Sequence, residues 1–189
     1  AALFGARTEE TGDSEILIEI SKTRKISVDG AEISRLGDFI GRFPALPMTS
    51  EDVKILRGSP ETRRRDVDMF ISGIDPEYFD ALRRYHSALG HRNALLRAEE
   101  IADELYSPFE IQMARAAETV SQKRRERLAQ MAQIAGERYA RLARGNGEGA
   151  EIEMKPSSEA EGCEDFREML ARERAGDIER RATRRLSLI

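Results

Sequence analysis

A chain of 189 residues with 40% hydrophobic side chains can fill one compact core or two small ones, while 35% charged residues, no tryptophan and only 6 prolines suit long solvent-flanked helices rather than a β-sandwich. A net charge of −4 excludes attraction of nucleic acid by bulk electrostatics and leaves local basic patches as the route to it. The single cysteine, Cys163, excludes an internal disulfide and has no Cys or His at metal-ligand spacing; no run approaches the roughly 18 apolar residues of a membrane span, so a reducing cytoplasm is the expected setting.

Two β-favourable runs, Glu15 to Ile20 and Lys25 to Val28, precede the tight-turn pair Asp29-Gly30, which predicts a small antiparallel meander. Ser34 is placed to cap a short helix carrying Leu36, Phe39 and Ile40, and Pro44 and Pro47 bracket an extended segment. Ser50-Glu51-Asp52 has the form of a helix start, with acids in the first turn and Gly58 as its stop. Ser59-Pro60-Glu61 and Asp75-Pro76-Glu77 repeat the device, each with a capping side chain and proline at the first helical position.

From Pro76 to about Arg97, Tyr78, Leu82, Tyr85, Leu89 and Leu96 fall on one helical stripe. A second helix is expected from near Pro108 to about Arg144, with a stripe of Met113, Ala117, Val120, Leu128, Met131, Ala135 and Leu142. At 1.5 Å per residue, its roughly 35 residues span about 50 Å. The pair predicts an antiparallel helical hairpin over about 76–144. Gly145-Asn146-Gly147-Glu148-Gly149 breaks the helix, Ala150 to Lys155 alternates as a half-exposed strand does, and a loop from Pro156 to Gly162 leads to a last helix with Phe166, Met169 and Leu170. That helix is expected to lose its register beyond Gly176, where Arg180, Arg181, Arg184 and Arg185 crowd in. The fold class is therefore α+β, mostly α: a long antiparallel helical hairpin packed with short helices and a small antiparallel β-meander. A first residue other than Met and a closing strand-like run, Leu186 to Ile189, are what a fragment would show.

No Gly-Lys pair occurs in the chain, so a phosphate-binding loop of the Gly-x-x-x-x-Gly-Lys-Ser/Thr type is not among these residues. His86 and His91 lie on one predicted helix without a nucleophile elbow, and five positions apart they do not share a metal. Two basic clusters are candidate phosphate contacts. Arg63, Arg64 and Arg65 cover much of one turn, though internal pairing with Glu61, Asp66 or Asp68 is the favoured account of them. Lys123, Arg124, Arg125 and Arg127, joined by Arg138, Arg141 and Arg144, make half of the long helix locally positive; a merely solvated face is the competing reading. Few aromatics interleave with these patches, which disfavours base stacking on single strands.

The stretch Ser50-Glu51-Asp52, Gly58-Ser59-Pro60 with Arg63-Arg64-Arg65, Asp75-Pro76-Glu77-Tyr78 and Arg92-Asn93-Ala94-Leu95-Leu96 resembles the middle of RecF-family DNA replication and repair proteins. The order of the remaining elements extends the resemblance over essentially the whole chain. It implies that 1–48 end a first ATPase lobe of the SMC-like ABC type and that 49–189 form a helical second lobe, with Glu51 and Asp52 at the junction that couples the lobes. Thr49-Ser50 stands where the family has Ser-Pro. The resemblance further implies ATP and Mg²⁺ as cofactors of the full-length proteins, DNA at a double-strand/single-strand junction, RecO and RecR as partners, a homodimer closed by ATP, and RecA loading at gaps. Walker A, signature and Walker B sequences lie outside the matched part, so no cofactor and no ATPase activity are expected of this segment alone. A helical interaction module without DNA binding is the alternative.

Overall fold

The computed structural model describes residues 2–8, 12–20, 24–40, 58–98, 102–143 and 162–183. They fall into two compact units, Ala1–Phe79 and Asp80–Ile189. The chain is mostly helical with a small antiparallel sheet.

In the first unit, β1 (Ala2–Thr8), β2 (Gly12–Ile20), β3 (Arg24–Val28) and β4 (Ala31–Glu32) form a four-stranded antiparallel meander in sequence order. Ile16 faces Val28 and Ile18 faces Ile26 across β2 and β3, so these four residues share one face; Ile16 and Val28 are buried. Val28 pairs with Ala31 around Asp29-Gly30, both at positive φ (51° and 81°), the twist that a two-residue primed turn requires. Asp29 is held there by β2: its Oδ1 accepts the Glu15 amide at 2.7 Å and its own amide reaches the Glu15 carbonyl at 2.9 Å. Strand β1 is absent from the sequence-based reading, because Ala2 to Thr8 has neither alternation nor β-branched residues before Thr8. The helix expected from Ser34 is a single 3-10 turn, Leu36–Asp38, with Gly37 at its centre.

Helix α1 (Pro60–Ile74) starts as its sequence dictates: Ser59 accepts the Thr62 amide at 3.2 Å and Pro60 occupies the first turn. It stops at Asp75 because a residue before proline avoids the helical region; Asp75 lies extended at φ −131°. The buried Asp75 then caps the next helix, its Oδ1 accepting the Tyr78 amide at 3.1 Å, while the Tyr78 hydroxyl donates to Asp68. One residue thus ends α1 and begins α2 (Pro76–Arg97).

In the second unit, Ala81, Tyr85, Ala88, Arg92 and Leu96 form the buried stripe of α2. The expected Tyr85 and Leu96 are in it, Leu82 and Leu89 are only half-buried, and a charged residue occupies its centre. Helix α3 (Asp103–Leu142) has 40 residues, about 60 Å at 1.5 Å each. It begins five residues before Pro108, which lies inside it: Asp103 and Glu104 suit the positive end of the helix, and Tyr106 is buried in the first turns. His91 stacks on Phe109, ring centroids 5.1 Å apart, and Arg92 meets Glu110, contacts that join α2 and α3 near their connection. Helix α4 (Cys163–Arg180) runs back along α3, where Glu118 accepts the Cys163 amide at 3.3 Å in place of a capping side chain. Its register persists to Arg180, four residues past Gly176. Arg181 ends it in the left-handed region (φ 55°, ψ 25°), with Ala182 and Arg181 amides bonded to the Asp177 and Ile178 carbonyls. That conformation costs a residue other than glycine about 1–2 kcal/mol.

The helix expected from Ser50, the Pro44 to Pro47 segment, the glycine-rich break, the strand from Ala150 to Lys155 and the closing apolar run lie outside the described residues, as does the boundary between 48 and 49.

Candidate functional site

The chemistry-bearing side chains divide into a buried cluster in the second unit and a surface set on α1 and α3. In the cluster, Arg92 is fully buried and uses all three guanidinium nitrogens: Nε donates to Glu110 Oε1 (3.1 Å), Nη1 to Asp177 Oδ2 and Thr183 Oγ1 (2.8 Å each), and Nη2 to the Leu170 carbonyl (3.1 Å). Arg174 clamps the same Glu110 through two nitrogens, at 3.1 and 2.6 Å, and also donates to Asp103. Arg180 donates to the second oxygen of Asp177 at 2.7 Å.

Three arginines thus meet three carboxylates; Arg92 and the largely buried Arg174 balance the buried Glu110 and Asp177, while Arg180 and Asp103 reach solvent. The Tyr106 ring lies near both guanidinium groups, 5.9 Å from Arg92 and 5.3 Å from Arg174, adding cation–π attraction where water is excluded. Hydrogen bonding to Glu110, outweighing burial, raises the Arg174 pKa further. Burial pushes the Tyr85 phenol up to about 12 against the opposing pull of Arg92.

This cluster was missed in the sequence although its signal is there. Arg92 stands seven residues after Tyr85 and four before Leu96, Glu110 four after Tyr106 and three before Met113, and Asp177 seven after Leu170. Charges in phase with an apolar stripe must find one another when the helices pack. Arg92 carries this packing.

The surface set holds the expected phosphate contacts. On α1, Arg63 turns back to the Gly58 carbonyl (2.8 Å), Arg64 is half-buried and Arg65 is exposed. On α3, Arg124 is only 3% exposed and so is withdrawn from any surface contact, because it falls in phase with Ala117, Val120 and Ser121. Lys123 and Arg127 are half-buried, Arg127 donating to Gln130 at 3.1 Å. Arg125 is exposed, as are Arg115, Arg138 and Arg141 on the same helix. Glu51 and Asp52 lie outside the described residues. His86 and His91 are both exposed. Among the described residues no group of His, Cys, Asp or Glu could hold a metal ion, and no helix is long and apolar enough to cross a membrane.

Comparison with known proteins gives one consistent answer at the level of sequence and fold. No family model matches the chain. The chain is 30% identical over 177 residues to the DNA replication and repair protein RecF of Clostridium perfringens, covering 90% of this chain and 48% of that protein. It is 45% identical over 94 residues to RecF of Bacteroides fragilis, covering 49% of this chain and 25% of that protein. Among solved structures, the recombination mediator protein RecF-ATPrS of the RecFOR pathway superimposes with a TM-score of 0.80 at 23% identity, over 91% of this chain and 49% of that one; a RecF-ATP structure gives 0.77 at 22%. The chain spans about half the length of the curated relatives it matches.

Proposed function

We propose, from the premise that this chain belongs to the RecF family of DNA replication and repair proteins, that its helical unit braces such a protein and presents basic residues of α3 to DNA phosphates. What carries the reading is the separation of the arginines: Arg92, Arg174 and Arg180 are consumed by buried carboxylates, while Arg115, Arg125, Arg138 and Arg141 are left at the surface of one long helix. Guanidinium groups spaced along a rigid rod suit successive phosphates, with no sequence preference. Arg64 and Arg65 on α1 are second candidates, and Glu51 and Asp52 are proposed for the lobe junction.

The wider activity is proposed by resemblance to the family: ATP-dependent action, through a homodimer, at double-strand/single-strand junctions in the cytoplasm, with RecO and RecR, to load RecA. For the nucleotide itself this chain offers no fit, since it has no Gly-Lys pair. We assign it no contact with ATP or Mg²⁺.

Fluorescence anisotropy with a gapped duplex tests the reading. Binding weak at moderate salt, stronger at low salt and reduced by Arg125→Ala supports it. No binding at low salt contradicts it and returns the chain to a helical interaction module.

A further inference from the structure

We propose that the end of α4 is a conditional stop, imposed by a clasp from Asn93 and Arg92, and that opening the clasp lets the helix run on by about one turn. The sequence past the stop contains no helix breaker, although its arginines crowd together. Asp177-Ile178-Glu179-Arg180-Arg181-Ala182-Thr183-Arg184-Arg185 contains neither glycine nor proline, and alanine and arginine are among the strongest helix formers. Even so, Arg181 adopts the left-handed conformation that glycine ordinarily supplies at this position.

Three hydrogen bonds converge two residues later. Asn93 Oδ1 accepts both the backbone amide of Thr183 (2.8 Å) and its hydroxyl (2.7 Å), and the hydroxyl oxygen accepts from Arg92 Nη1 (2.8 Å). In a continued helix the Thr183 amide would bond to the Glu179 carbonyl. Asn93 and Glu179 therefore compete for one donor, and the two outcomes are discrete: helix stopped and chain clasped to α2, or helix extended and clasp empty. A similar exchange applies at Ala182, whose amide now reaches the Asp177 carbonyl and would shift to that of Ile178, whereas the Arg181 amide already reaches the Asp177 carbonyl as well as that of Ile178. Arg92 links the clasp to the buried cluster, so the direction in which the chain leaves α4 is set by the packing of all three helices. Such an element is biased by anything that draws the Arg92-Asn93 pair away from Thr183.

The test is ¹³Cα chemical shifts at 181–183 in the whole chain and in Asn93→Ala and Thr183→Ala. The expected result is a move of Arg181 from left-handed to helical shifts, with the extended-to-stopped ratio rising ~10-fold, the effect of losing about one net hydrogen bond. Adding Arg181→Gly to Asn93→Ala should restore the stop, because glycine takes the left-handed conformation freely. A left-handed Arg181 that persists in both single variants overturns the proposal. So does loss of cooperative folding in both, which would make Asn93 and Thr183 supports of the whole unit rather than of its exit turn.

Discussion

Between Tyr106 and Arg124, α3 buries a residue on each turn and its Glu110 is claimed by two arginines; from Arg125 to Leu142 it buries none, and Leu142 is 80% exposed. The same helix, with arginines in both parts, thus serves two purposes according to what packs beside it. Where α4 runs alongside and α2 makes contact, a buried charge survives only if a partner of opposite sign accompanies it out of water. Where they do not, arginine keeps its hydration and remains free of that requirement.

Breaking the proximal half should give the largest effect. Arg92→Ala leaves Glu110 and Asp177 short of a partner and Thr183 without a donor, and should cost about 3–5 kcal/mol of stability in urea denaturation. A change of under 1 kcal/mol would mean the cluster is solvated. Alkali comes next. The Tyr85 phenol is raised to about 12 when folded and sits near 10 when unfolded, so its contribution is complete below pH 10 and is lost as pH climbs toward 12. Stability should fall by roughly 2–3 kcal/mol over that window, at about 1.4 kcal/mol per unit, and Tyr85→Phe should flatten that part of the profile.

Ser59→Ala, in the first unit, sets the scale of an ordinary cap and should cost about 1 kcal/mol in the same assay. Smallest is the distal half: Arg125→Ala or Arg138→Ala should move stability by less than about 0.5 kcal/mol. A larger loss would show that these side chains brace the fold.

Elements governed by neighbours in sequence were legible without coordinates. Asp29-Gly30, Ser59-Pro60 and Asp75-Pro76 act locally, and each forms the turn or cap it encodes. Features decided by distant partners were not. Strand β1 exists because β2 supplies its hydrogen bonds, and α3 starts before Pro108 because Tyr106 and Glu110 are buried against other helices. Arg124 read as surface charge until its phase against Val120 and Ala117 placed it inside. Of the candidate contacts, the sequence located the basic half of α3; which arginines remain in water followed from packing alone.

The most direct trial of this division is the salt dependence of DNA binding by the triple variant Arg125→Ala, Arg138→Ala, Arg141→Ala beside the parent chain, with thermal stability followed in parallel. Each lost phosphate contact should lower the slope of log K against log salt by about 1, to a total near 3, while the melting temperature stays put. An unchanged slope, or a slope that falls only because the variant unfolds, would contradict the assignment of these arginines to DNA.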